Sequence, residues 1–305
     1  MRFPIRPLTG RWHPMLERRF ARFCWADPRV IMDKDATREE FTRAMSAIHV
    51  GGTIKITGGN RHPVADQMLT DNVDLSDAII VDIGASDGST SVDLIGRLPG
   101  FKQYIIADLY FHLTAVHSGR RCLFYDTNGS LILIAGPRAL AWPSTSRLVR
   151  LLYRWIEIRA RTSTAAGVPV LLLNPAARAV IGSDPRVSCR VHDVFTPWPG
   201  PPPTVIKVAN LLRRLYFTDD VINSGLQAIG HSLDDHGYFL LVDNVRRKGV
   251  PPRVGLYQRI DGQFRVVSET PDRPEIADLI DQVRLTPTPG AAPTPTSDPA
   301  GAGTR

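Results

Sequence analysis

The chain has 305 residues, is 43% hydrophobic and 22% charged, and carries a formal net charge of +7. That length suits one large α/β domain with additions, or two small domains, and the composition is that of a soluble globular protein. The absence of any run of about eighteen apolar residues argues against a membrane-spanning helix.

The basic start MRFPIRPLTGRWHP has no apolar stretch behind it, so no secretory signal is expected. Cys24, Cys122 and Cys189 are odd in number, widely spaced and free of a Cys-x-x-Cys pair. Neither a disulfide framework nor a zinc or other metal site is expected, and a reducing cytoplasm is the expected compartment. The basic surplus is dispersed. It fits plain solubility as well as attraction to RNA, anionic lipid or an acidic small substrate.

In chain order, residues 1–76 read as a helical extension. His13 to Trp25 places Met15, Leu16, Phe20, Phe23 and Cys24 at helical spacing. A second helix is expected from Thr37, as N-cap, to Ile48, with Glu39 and Glu40 in its first turn. The stretch VGGTIKITGGNRHPVAD after it reads as a glycine-punctuated loop.

From residue 77 an α/β rhythm sets in. AIIVDIG (78–84) is a continuous apolar run stopping at Gly, as a buried parallel strand does, and Ser89 to Leu98 fits the following helix. QYIIAD (103–108) is the second strand. An insertion of about 109–185 is too long for one crossover. It contains a hairpin about Asn128-Gly129, an Arg-rich amphipathic helix over 144–161, and the apolar segment VPVLLL (168–173). On that helix Leu148, Leu151, Leu152, Trp155 and Ile158 share one face, which suits packing on the protein or, as the sharper alternative, peripheral contact with a membrane.

RVSCRVHDVF (186–195) and TVIKVANLL (204–212) are the third and fourth strands. A helix over 219–235 follows, opened by Thr218 and closed by Gly237, and YFLLVDN (238–244) is the fifth strand. LYQRI-DG-QFRVV (256–267) is a hairpin about Asp261-Gly262. The tail, 286–305, is rich in Pro, Thr, Ala and Gly and is expected to be disordered.

The chemistry-bearing run is VDIGASDGST (81–90), between a strand and a helix. Gly84 and Gly88 let the backbone turn sharply and approach a ligand, and the helix start offers free N–H groups. Asp82 precedes the turn. Asp108 ends the next strand, twenty residues beyond Gly88, where a carboxylate can take both hydroxyls of a ribose. Asp193 follows the third strand, with Val194 and Phe195 beside it as an apolar pocket wall. All three acids fall at carboxyl ends of strands, the ligand-binding edge of open α/β sheets.

This order of elements and acids resembles the class I S-adenosylmethionine-dependent methyltransferase superfamily over roughly residues 77–270. Asp82, Gly84 and Gly88 match its first motif, while Ser86 stands where the middle glycine would be. The resemblance implies a doubly wound, mostly parallel Rossmann-like sheet of seven strands ending in an antiparallel hairpin. It implies S-adenosyl-L-methionine as cofactor, with Asp82 and Gly84 by its methionine part and Ala85, Ser86 and Gly88 also binding it. Asp108 and Leu109 would lie at the ribose, and Asp193 and Val194 at the adenine.

The activity implied is methyl transfer to an acceptor that the residues do not name: a small or amphiphilic molecule first, RNA second on charge alone. Asn210 and His192 are the catalytic candidates; a turn cap and a structural histidine are the plainer readings of each. ANLLRRLYF (209–217) is similar to the Asn-x-Leu-x-Tyr-Phe stretch of chemotaxis-receptor methyltransferases, with two extra residues. Two alternatives stand beside this reading. One is a methyltransferase fold that only binds or scaffolds. The other is an NAD(P)-dependent reductase, which the missing Gly-x-Gly-x-x-Gly and Tyr-x-x-x-Lys disfavour. Lys207, inside an apolar strand, requires an acidic partner that the sequence does not identify.

Overall fold

The computed structural model describes residues 4–50, 53–55, 59–161, 167–245 and 249–286. The N-terminal segment carries β1 (Ile5–Pro7), α1 (Pro14–Phe20), α2 (Arg38–Met45), the two-residue strands β2 (His49–Val50) and β3 (Thr53–Ile54), and α3 (Pro63–Asn72). β4 (Ile79–Ile83), α4 (Ser89–Ile95) and β5 (Gln103–Asp108) follow. The insertion holds β6 (His112–Ser118), β7 (Arg121–Tyr125), β8 (Leu131–Ala135), β9 (Ala139–Ala141), α5 (Arg147–Arg161) and β10 (Val168–Leu171). The chain then runs through α6 (Pro175–Ser183), β11 (Val187–Val191), β12 (Val205–Ala209), α7 (Asp219–Ser232) and β13 (Tyr238–Asp243). It closes with β14 (Arg253–Ile260), β15 (Gln263–Glu269) and α8 (Ala277–Gln282).

Seven strands form the main sheet in the order β11-β5-β4-β12-β13-β14-β15. The first five are parallel and β14 and β15 are antiparallel additions. The middle strands are apolar throughout because helices cover both faces. Ile222, Leu226 and Ile229 of α7 and Ile280 of α8 pack on one face. Leu69 of α3, Leu94 of α4 and Ala177 of α6 pack on the other. This is the doubly wound Rossmann-like fold, with its strand order reversing between β4 and β12.

The second sheet, β1-β9-β8-β7-β6-β10, is antiparallel and built from the insertion plus one N-terminal strand. Phe41 and Met45 of α2 and Trp142 pack on one of its faces. Val149, Ile156 and Ala160 of α5 pack on the other.

Both expected hairpins are present, with Gly129, Asp261 and Gly262 at positive φ in their turns. Thr37 caps α2 through a reciprocal bond pattern with Glu40, which satisfies two end groups at once.

Several expectations are corrected. The first helix, expected over His13 to Trp25, stops at Phe20, and Met15, Leu16 and Phe20 on it are exposed. α2 ends at Met45, not Ile48. The last four residues of the supposed glycine loop, 63–66, are the start of α3, which Pro63 opens from the first helical position. The helix expected to close at Gly237 ends at Ser232 with Leu233 as its cap, and Gly237 instead makes the turn into β13. On α5 the Leu and Trp face is the exposed one, and Val149, Ile156 and Ala160 face the protein. Residues 287–305, most of the expected disordered tail, lie outside the described residues.

Candidate functional site

A cavity of about 310 Å³ opens at the carboxyl edge of β4, β5, β11 and β12, beside the reversal of strand order. This is the place where open α/β sheets hold ligands. Its floor is the turn after β4. Gly84 and Ala85 donate to the carbonyl of Ala107, at 2.8 and 3.0 Å, which locks the turn onto the neighbouring strand. Gly84 has φ 75°, and a Cβ there would stand 2.8 Å from Leu211 Cδ2. Gly88 has φ 77° and caps α4, with Ala177 close enough to exclude a side chain.

Ser86 occupies the same left-handed region with φ 60°. That backbone costs a residue with a Cβ about 1–2 kcal/mol, so the turn holds strain where a ligand would lie. Its hydroxyl is buried without a hydrogen-bond partner.

Asp108, the last residue of β5, is 7% exposed and lines the cavity. Its carboxylate accepts from the backbone N–H groups of Ser86 and Tyr110, both at 2.8 Å, and from Lys55 Nζ at 2.5 Å. Asp193 also lines the cavity. It accepts from the N–H of Phe195 at 3.1 Å, which shapes the turn that presents Val194 and Phe195. Asp82 touches the cavity but is turned inward, taking bonds from Ser91 Oγ at 2.8 Å and the Tyr104 hydroxyl at 3.1 Å.

Lys207 now has its partners: Asp82 at 3.5 Å and Asp66 at 3.7 Å, all three buried. Asp66 also takes an ion pair from Arg97. Burial raises the Asp66 carboxyl above the ordinary carboxylate range, and the two cations only partly offset it.

The structure brings Ala85, Leu109, Val194, His192 and Asn210 to the cavity wall as well; Gly88 stands behind it. Asn210 takes φ 57°, and its side-chain oxygen accepts from the N–H of Asn244 at 2.7 Å, tying the ends of β12 and β13 together. His192 stands edge-on to Trp198 at 4.9 Å. Burial pushes its pKa below the ordinary value, with Asp193 opposing and Arg190 adding. Tyr216 and Phe217, from the stretch after β12, complete that side.

A further wall, which meets the acidic one at the ion pair of Lys55 with Asp108, was not foreseen. Lys55, Arg61 and His62 come from the N-terminal segment just before α3. His62 is 4% exposed, faces Asn244 Nδ2 through Nε2 at 3.2 Å, and has no partner at Nδ1. Burial holds its imidazole well below the ordinary pKa, and the Lys207 and Arg61 charges push the same way. At neutral pH it is therefore uncharged. Burial likewise lowers the Arg61 guanidinium, against the pull of Asp87. The one sequence signal for this wall was position: His62 immediately precedes a proline that opens a helix. No metal-binding cluster of His, Cys, Asp and Glu occurs among the described residues. No helix among them is long and apolar enough to cross a membrane.

No family model matches the chain, and neither does any curated protein. Among solved structures it is similar to phosphoethanolamine N-methyltransferase 1 of Haemonchus contortus, at 12% identity and a TM-score of 0.35, covering 79% of this chain and 35% of that one. It is also similar to a putative S-adenosylmethionine-dependent methyltransferase of Methanococcus maripaludis, at 12% identity and a TM-score of 0.33, covering 62% and 58% of the two chains. An O-methyltransferase family 2 protein of Planctomyces limnophilus matches at 13% identity and a TM-score of 0.31, covering 62% and 39%. The chain spans less than two thirds of the length of each of these structures.

Proposed function

We propose that the cavity binds S-adenosyl-L-methionine and that the protein transfers its methyl group to a small or amphiphilic acceptor. One observation carries this reading. Asp108 stands at the end of the second strand, pinned by the N–H of Ser86 from the strained turn after the first strand, and aimed into the cavity at the point of strand reversal. A carboxylate so fixed is suited to a ribose diol. The residues fit such a cofactor: the Gly84 turn leaves its backbone bare, the Ser86 hydroxyl lacks a partner, and Val194 and Phe195 offer an apolar slot beside Asp193.

The cofactor would supply an electrophilic methyl group on a sulfonium. The chain's share is chiefly placement, which alone can lower a barrier substantially by holding two reactants in line. Tyr216, Phe217 and Leu211 would exclude water from one side. His62, uncharged and lining the cavity, would hold the acceptor by a hydrogen bond. Lys55 and Arg61 favour an acceptor bearing negative charge.

The test is calorimetric titration with S-adenosylhomocysteine, beside NADH and NADPH, for the wild type and Asp108→Ala. Micromolar binding of the adenosyl ligand alone is expected, weakened in the variant by about 1–3 kcal/mol. A folded wild type that binds no adenosyl ligand would sink the reading, and binding of a nicotinamide nucleotide instead would favour a reductase. Cofactor binding without transfer across a broad acceptor screen would favour a scaffold.

A further inference from the structure

We infer that α5 is a membrane-docking helix, which lays the second sheet of the protein against an anionic lipid surface. The argument is independent of what the cavity binds. α5 runs for 15 residues, and its inner face is already satisfied by Val149, Ile156 and Ala160 packed on the sheet. Its outer face is apolar as well. Leu148, Leu151, Leu152, Trp155 and Ile158 are 65, 66, 55, 56 and 53% exposed. At the helical rotation of about 100° per residue these five side chains fall in one stripe roughly 120° wide, into which the exposed Arg159 also falls. A folded protein gains nothing by showing water such a stripe on a helix whose other face is buried.

The charges beside the stripe say what covers it. Arg147, Arg150 and Arg154 follow one flank at spacings of three and four residues, and all are exposed. Arg121, on the strand beneath, stacks over the Trp155 ring at 5.7 Å. Large apolar side chains including a Trp, edged by arginines, are the chemistry of a helix lying in the plane of an anionic bilayer surface. A second copy fits less well, since two-fold packing of this face on itself would set arginine strips against each other. The long stems of the arginines can lie along the acyl boundary while their heads reach lipid phosphates.

Sedimentation of the full chain with vesicles tests this. Binding is expected to vesicles of phosphatidylcholine with phosphatidylserine, much weaker with phosphatidylcholine alone, and falling as salt rises. Leu148→Asp with Leu151→Asp should abolish it while leaving the melting temperature and the cavity's ligand affinity unchanged, because these two side chains are the most exposed of the stripe. Arg147→Gln with Arg154→Gln should weaken binding to the anionic vesicles by about thirtyfold, with little effect on neutral ones. The inference is overturned if the wild type ignores both kinds of vesicle, or if the apolar variants bind like the wild type. It is equally overturned if light scattering finds a dimer that the Asp variants split, which would assign the face to a second copy.

Discussion

The two walls of the cavity are built by opposite means. The acidic wall, Asp108 and Asp193 with Asp82 behind them, grows from the carboxyl ends of three neighbouring parallel strands: sheet register places Asp82 and Asp108, and the turn after β11 places Asp193. The basic wall, Lys55, Arg61 and His62, comes from irregular chain ahead of α3 and owes its position to contacts. The walls meet beneath the floor at Lys207, which stands between Asp82 of the first and Asp66 of the helix that follows the second. This buried cation pairs with a residue behind each wall, and its removal is where the largest effect is expected. Lys207→Met keeps the volume and removes the charge, leaving the Asp82 side chain buried without its cation. Breaking a buried pair in this way costs about 3–5 kcal/mol. Urea denaturation reads it directly; a loss under 1 kcal/mol would mean the walls are held by other contacts.

Acid should separate the walls next. His62 is kept below its ordinary pKa of 6.5 by burial and by the Lys207 and Arg61 cations. The unfolded chain takes up a proton near that ordinary value, whereas the folded chain does so only at much lower pH. Stability is therefore complete above about pH 6.5 and lost as pH falls towards the folded value, at up to about 1.4 kcal/mol per pH unit. His192, lowered chiefly by burial, adds to the loss. Asp66 and Asp243 act in the opposite sense at more acidic pH, because burial raises both and the folded state binds their protons first. Melting temperature followed from pH 8 to about pH 5 for the wild type, His62→Gln and His192→Gln would apportion the slope. An unchanged slope in His62→Gln would remove His62 as the neutral group of the basic wall.

The difference between the walls also decided what could be read in advance. Ile79–Ile83, Gln103–Asp108 and Tyr238–Asp243 are buried on both faces, so they stand in the sequence as largely apolar runs that lead to Asp82, Asp108 and the cavity edge. Asp193 followed from the same logic. Nothing periodic marks Lys55 or Arg61, and the two glycine pairs ahead of His62 mask the helix start at which it sits. The partners of Lys207 were equally hidden: Asp66 is 141 positions away in sequence and meets it only because α3 packs on the main sheet. On α5 the periodicity named the apolar face correctly but not its direction. Small and β-branched residues on the opposite side, Val149, Ile156 and Ala160, suit close approach to the sheet, and a pattern of periodicity does not rank two apolar faces.

The smallest effect asks whether the walls cooperate or compete. An ionised carboxylate offers about four acceptor directions. Asp108 has three in use, for the N–H groups of Ser86 and Tyr110 and for Lys55 Nζ. A ribose diol brings two donors, so one existing bond must give way. The two backbone donors are fixed by the strand ends and the turn, whereas the lysine stem can swing; Lys55 is the bond that yields. Ligand affinity then includes the cost of parting a buried ion pair, a net of about 1 kcal/mol for one charged hydrogen bond exchanged for another. Lys55→Met removes that cost in advance and is expected to tighten S-adenosylhomocysteine binding about fivefold, measured by calorimetry beside the wild type. A weaker complex in Lys55→Met would reverse the assignment. The ammonium, once released from Asp108, would then bind the ligand itself, and the basic wall would belong to the cofactor's half of the cavity rather than the acceptor's.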